Sequence, residues 1–278
     1  MSVVGFFEHL IAFAVIFPWV LFRRKDQIVP REKKDWGLFV AIGVGGSALG
    51  GALFSISVEK LGPQLSTLFT MLQPLFVLGF AQAFLRERGS ALFVPCALWV
   101  VANSVLMSLS PETTGAIENG TFSWEGCAYA FAATAIWGGS TVAGKALTAR
   151  YNSTTMLFWR WIFAMIFLGT AALIHADSLG AWRDLFTTSR ILSLLYLGVF
   201  AQTAAYWIYY QGLRKLPASL TTFLELVYPL SGVMLASLTS GEGFTFWQAF
   251  GAVNLVIALT LLIAVEYPRA VSPRPDGH

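Results

Sequence analysis

Glu8, His9, Arg160 and Glu225 are ionisable residues embedded in long apolar stretches of the chain. Placing such a group deep in a bilayer costs roughly 3 kcal/mol or more, so each is a candidate contact for a transported molecule or ion. Glu225 is the sharpest of them. Pro229 has no amide hydrogen, which leaves the carbonyl four residues earlier, that of Glu225 itself, without its helical donor. Carboxylate and freed carbonyl then share one position. Pro74 does the same to Thr70. Two interrupted hydrogen-bond ladders near mid-membrane are what repeat-built transporters use to bind cargo or coupling ions, with Pro74 and Pro229 as hinges. A carboxyl group there is disfavoured in its charged form and could trade a proton, so proton coupling through Glu225 is one expectation. The plainer reading is a pair of packing kinks, with Glu225 bonded to a neighbouring helix.

Glu8 and His9 lie roughly 21 Å from the cytoplasmic end of their stretch, and Arg160 roughly 10 Å from the inner face, at 1.5 Å per helical residue. Phe6-Phe7-Glu8-His9 can be laid over Phe158-Trp159-Arg160-Trp161, which sets an acid near one end of a pathway and a base near the other. They read either as gate or substrate contacts or as side chains that snorkel or cap a helix end. Trp137, Tyr206 and Gln73 are candidate lining residues, suited to a flat, amphipathic or cationic cargo. Tyr209 and Tyr210 are expected in the aromatic belt at the inner interface. Gly43, Gly45, Gly46, Gly50 and Gly51 are expected to allow close helix packing. Enzyme chemistry finds little support: the histidines are His9, His175 and His278, no His-Glu-x-x-His helix occurs, and Cys96 and Cys127 fall in separate stretches. No catalytic residue, metal site or cofactor is assigned.

The elements that must position these residues follow from composition. With 56% hydrophobic and 12% charged residues, the chain is too apolar for a water-facing surface. About nine apolar stretches are each long enough to span as a helix of roughly 20 residues. They run from Val3 to Phe22, Gly37 to Val58, Gln64 to Leu85, Ala91 to Leu109, Trp124 to Leu147, Thr154 to His175, Ile191 to Leu213, Ser219 to Thr239 and Phe244 to Val265. None alternates as a barrel strand would, so the fold class is an all-α integral membrane bundle. Of the 18 Lys and Arg residues, all but Lys60, Arg183, Arg190 and the intramembrane Arg160 fall on one side when the loop after Phe22 is cytoplasmic. This orientation puts the C-terminus in the cytoplasm and Met1 outside. The net charge of +3 is therefore a topology signal and no nucleic-acid footprint.

At an offset of 155 residues Leu61-Gly-Pro-Gln-Leu-Ser-Thr meets Leu216-Pro-Ala-Ser-Leu-Thr-Thr. In the same register Gly43 meets Gly198, Lys60 meets Lys215, Pro74 meets Pro229 and Glu87 meets Glu242. The sides of the membrane make the two copies inverted. The second copy has five stretches and the first four, so a helix is expected upstream of Met1. The helix lacking a partner carries Ala135-Ile-Trp-Gly-Gly-Ser-Thr-Val-Ala-Gly-Lys145. With Phe158-Trp-Arg160, Gly212-Leu-Arg-Lys-Leu216 and Phe223-Leu-Glu225, it resembles the drug/metabolite transporter superfamily, EamA type, over essentially the whole chain. The resemblance implies ten helices in two inverted five-helix units that move small metabolites or drugs out of the cytoplasm. The chain departs from the pattern in its missing first helix and in the proline four residues after Glu225.

The expected organisation is a first repeat over 1–110, an external linker over 111–123, a second repeat over 124–268 and a cytoplasmic tail over 269–278. The expected function is secondary active export of a small metabolite, amino acid or drug-like molecule across the inner membrane by alternating access. Its partners are the small-molecule cargo, the lipid bilayer and protons as candidate coupling ion, with no nucleic acid. A membrane enzyme or a non-transporting partner subunit is the alternative.

Overall fold

A computed structural model describes residues 2–22, 28–87, 90–108, 123–174, 187–228 and 245–271, with isolated positions between 230 and 238. All regular structure among the described residues is helical. Continuous apolar runs require this, because in hydrocarbon each backbone amide must find its partner within its own segment. The helices are α1 (Ser2–Leu21), α2 (Lys33–Leu61), α3 (Pro63–Thr70), α4 (Gln73–Phe80), α5 (Phe93–Ser108), α6 (Trp124–Thr148), α7 (Ser153–Ile174), α8 (Ser189–Lys215), α9 (Ala218–Glu225) and α10 (Phe246–Val271). Among the described residues six helices are long and apolar enough to cross a membrane: Val3–Leu21, Lys33–Leu61, Leu65–Leu85, Ser153–Ile174, Ser189–Lys215 and Phe246–Pro268. Phe93–Leu106 is a shorter apolar helix. The chain is an all-α, multi-pass membrane protein.

Several helices depart from the apolar stretches that announce them. Helix α2 starts before Gly37, at Lys33, and α10 continues past Val265 to Val271. The ladder of backbone hydrogen bonds does not stop where hydrophobicity stops. The stretch from Gln64 to Leu85 is split into α3 and α4 by a turn at Met71–Leu72. That from Ser219 ends its first helix at Glu225. Both breaks have the same backbone chemistry. Met71 and Leu72 donate to Leu68 and Phe69, and Leu226 and Val227 donate to Phe223 and Leu224, three-residue bonds in place of four-residue ones. The first pair of bonds recurs as the second at the 155-residue offset.

Within α2 and α8 the middle turns are π-helical, at Ala41–Leu49 and Leu197–Ala205. Each carries a glycine on which a neighbouring backbone closes. A Cβ on Gly43 would come 2.6 Å from Phe163 Cβ and 2.8 Å from the Arg160 carbonyl oxygen; on Gly198 it would come 2.6 Å from Ile11 Cγ2 and 2.9 Å from the Glu8 carbonyl oxygen. The expected packing role thus holds at Gly43, whereas a Cβ on Gly51 would meet nothing within 4 Å.

The chain forms two compact units, one of Met1–Ser55 with Gly139–Lys215, the other of Ile56–Gly138 with Leu216–His278. Each draws on both halves of the sequence. In unit 1, α1 packs along α7 and against the π-helical turns of α8, while α7 packs against those of α2. In unit 2, α5 lies along α10 and α9 packs against α4 and α10, around a core that includes Met71, Phe93, Val100, Phe223, Leu255 and Leu262.

Candidate functional site

Unit 1 gathers several of the residues that the sequence singles out. Arg160, on α7, is 4% exposed and is held from two directions. Its Nε donates to Ser47 Oγ at 2.7 Å and its Nη1 to Tyr210 Oη at 2.8 Å. The guanidinium carbon lies 4.2 Å from the centre of the Tyr206 ring and 5.5 Å from that of Trp161. Such ring contacts contribute up to about 2 kcal/mol each when desolvated. Together with two charge-assisted hydrogen bonds they offset the cost of an arginine at this depth. Tyr210 therefore belongs to this cluster, which corrects its expected place in an interfacial belt: it is buried, while Tyr209 donates to Thr141 Oγ1 at 3.2 Å.

Glu8 and His9 stand in the same unit on α1. Gln202 Nε2 donates to Glu8 Oε1 at 3.1 Å, and Glu8 Oε1 is 3.5 Å from His9 Nδ1. The His9 and Trp161 rings meet edge to face, with centroids 5.0 Å apart. His9 Nδ1 donates to the Gly5 carbonyl at 2.6 Å. Its Nε2 and the Trp161 Nε1 are buried and have no hydrogen-bond partner among the described residues. Leaving a buried polar group in that state costs about 1–3 kcal/mol.

Unit 2 holds the broken helices. Thr70 ends α3 and Glu225 ends α9, each four residues before a proline that cannot donate to it. Thr70 Oγ1 also bonds to Tyr228 Oη at 2.5 Å, which ties the two breaks to each other. Pro74 is buried in the first turn of α4, and Gln73 and Glu225 are half-buried. Pro229 lies outside the described residues. Glu87 anchors α9 from its other end. Its carboxylate accepts from the amides of Ala218 at 2.8 Å and Ser219 at 3.2 Å, and from Ser219 Oγ at 2.9 Å. A carboxylate at a helix N-terminus meets both the unsatisfied amides and the positive end of the dipole.

The long motif on α6 has a structural explanation at each end. A Cβ on Gly138 would sit 2.8 Å from Phe76 Cβ, so this glycine lets α6 close onto α4. Trp137 beside it is half-buried and belongs to unit 2. Lys145 donates to the carbonyls of Leu213 at 2.8 Å and Arg214 at 3.4 Å, capping the C-terminus of α8 with a cation. At the start of α2, Tyr151 donates to the buried Asp35 at 2.6 Å, and Arg150 pairs with Asp35 at 2.5 Å and Glu32 at 2.9 Å. Burial pushes the Tyr151 hydroxyl above the usual tyrosine range, and the Asp35 carboxylate adds to the effect. Lys34 and then Arg150 hold the Glu32 carboxyl below its ordinary value.

The EamA-like transporter family matches residues 2–109 and again 124–264. The chain belongs to that family. The riboflavin transporter ImpX of Fusobacterium nucleatum subsp. nucleatum is 24% identical to this one over 266 residues, covering 92% of this chain and 86% of that protein. A solved crystal structure shares the fold, with a TM-score of 0.74 and 16% identity over 95% of this chain and 87% of that one. Ser47, Gln202, Thr141, Trp161 and Tyr210 are the members of the transporter's unit 1 cluster that sequence reasoning passed over as site residues. Ser47 and Gln202 had a signal of their own, being polar residues inside apolar turns. Trp161 and Tyr210 had none, since an aromatic in a membrane helix is ordinary.

Proposed function

We propose that this transporter is a secondary carrier that moves a small aromatic molecule, neutral or anionic, by alternating access, with the cargo bound in unit 1 beside Arg160. The observation that carries the reading is the buried guanidinium against the Tyr206 ring, 4.2 Å from its centre. A cationic cargo would meet a like charge; at about 4 Å and an effective dielectric of about 20 this costs about 4 kcal/mol. The most that an aromatic face returns to a cation is about 2 kcal/mol. The cationic option that suits the aromatic residues alone is thereby disfavoured. That a relative carries the name riboflavin transporter supports a flat heteroaromatic cargo of this kind. Export, coupling to protons through Glu225, placement in the cytoplasmic membrane and a cytoplasmic C-terminus belong to the same proposal. The one-sided distribution of lysine and arginine supports the orientation.

Purified protein in proteoliposomes tests it with two aromatic probes, neutral riboflavin and cationic ethidium. Saturable flux of riboflavin, absent for ethidium and lost in Arg160→Leu, is expected. Flux of ethidium without riboflavin, or a full riboflavin rate in Arg160→Leu, would overturn the proposal.

A further inference from the structure

Two ring nitrogens beside Arg160 have chemistry that the carrier reading does not use. His9 stands on α1 and Trp161 on α7, which pack together, and the two rings meet edge to face with centroids 5.0 Å apart. Neither His9 Nε2 nor Trp161 Nε1 has a hydrogen-bond partner among the described residues, and both atoms are buried. Their roles are opposite. The bond from His9 Nδ1 to the Gly5 carbonyl places the ring's proton on Nδ1, because a carbonyl only accepts. Nε2 of the neutral ring is therefore an acceptor, whereas an indole Nε1 only donates. Buried polar groups in folded proteins are almost always paired. An acceptor and a donor left without partners on two touching rings match a molecule that presents both a donor and an acceptor.

We infer that His9 and Trp161 read the N–H/C=O edge of a lactam or imide ring in the cargo, His9 Nε2 accepting from the ring N–H and Trp161 Nε1 donating to the adjacent carbonyl. Arg160, whose guanidinium carbon is 5.5 Å from the Trp161 ring centre, supplies the positive field that favours the electron-rich carbonyl side. This rests on unit 1 holding the aromatic cargo proposed above, and it specifies the edge that is recognised. A bridging water is the competing occupant, and it would be indifferent to methylation of the ligand.

The test measures binding to the purified protein in detergent by quenching of ligand fluorescence. It uses two pairs of probes: riboflavin with 3-methylriboflavin, and lumazine with 1,3-dimethyllumazine. The unmodified protein is expected to bind the N–H member of a pair at least tenfold more tightly, roughly the loss of one hydrogen bond. Trp161→Phe, which keeps an aromatic ring and removes the donor, is expected to weaken the N–H member by about the same factor. In His9→Leu the ratio within a pair should fall to about one, which a purely structural role for His9 would not produce. Equal affinity within both pairs, or no binding of either, overturns the inference. Discrimination in the lumazine pair without any riboflavin binding upholds it and removes the flavin-like cargo instead. Both variants are checked for monodispersity and melting temperature, and the comparison within the unmodified protein needs no variant.

Discussion

Replacing Gly43 by alanine puts a methyl group where α7 already passes, 2.6 Å from Phe163 Cβ and 2.8 Å from the Arg160 carbonyl oxygen. Neither neighbour can swing aside: one is the first side-chain atom and the other is backbone. Overpacking of this sort costs about 1–3 kcal/mol, and the rigid neighbours place it in the upper half of that range. Alanine recovers about 0.5–1 kcal/mol of helix-forming free energy relative to glycine. The expected net loss is about 1–2.5 kcal/mol, or a melting temperature lower by about 2–10 °C at the scale usual for 150–250 residues. Gly198→Ala faces the same geometry against Ile11 and the Glu8 carbonyl, so a similar loss is expected. Gly51→Ala is the internal control, since its Cβ would meet nothing within 4 Å and only the helix gain remains. Thermal unfolding of the three variants in one detergent decides the matter. If Gly43→Ala and Gly198→Ala melt alongside Gly51→Ala, the close packing of the π-helical turns on α7 and α1 is not what holds unit 1.

Glu87→Ala removes three hydrogen bonds from the first turn of α9 and is expected to cost about 2–4 kcal/mol, whereas Ser219→Ala, losing one, should cost about 1 kcal/mol; equal melting temperatures for the two would refute the cap. Asp35→Asn leaves Arg150 and Tyr151 without their shared carboxylate and is expected to cost about 2–3 kcal/mol, less than for a fully buried pair because Arg150 can turn to water. The cluster also has a pH signature. A tyrosine whose ionisation is raised on folding contributes stability that is fully present below the unfolded value, about 10, and is lost as pH rises through the folded one. The melting temperature of the unmodified protein should thus fall more steeply above about pH 10 than that of Tyr151→Phe, and parallel curves would count against it. Glu225→Gln is expected to abolish flux driven by a pH gradient while leaving flux down a cargo gradient; undiminished pH-driven flux would end the coupling role of Glu225.

Much of the fold was legible because its two strongest signals are local. Apolar length marks a spanning helix, and the proline spacing marks Thr70 and Glu225 as interrupted positions, where α3 and α9 end. Arg160, Glu8 and His9 stood out for the same reason, as ionisable groups where hydration is absent. What escaped is tertiary. Tyr210 is near a helix end in sequence, which reads as an interface, yet α8 packs so that its hydroxyl accepts from Arg160. No residue count links Ser47 to Arg160 across 113 positions, or Gln202 to Glu8 across 194. The π-helical turns also leave no periodic trace, because one extra residue per turn over so short a run is within the noise of apolar patterning. The division of the chain into units is likewise a product of packing, with each unit assembled from both halves of the sequence.

The 155-residue register connects these layers. Gly43 and Gly198 are partners in it, and each seats its helix on the backbone of a residue, Arg160 or Glu8, that the sequence overlays on the other. One packing device thus occurs twice in unit 1 and presents two different side chains. The first is an arginine with Ser47 and Tyr210, the second a glutamate with Gln202. Glycine contacts depend on backbone and tolerate no change, whereas the side chains they carry are free to diverge without loss of packing. A scaffold with matched halves can in this way hold an asymmetric molecule, with polarity set by residues that the packing does not constrain. It follows that altering either glycine should disturb stability far more than recognition, whereas exchanging the two charged groups should disturb both, since each leaves buried hydrogen-bond partners behind.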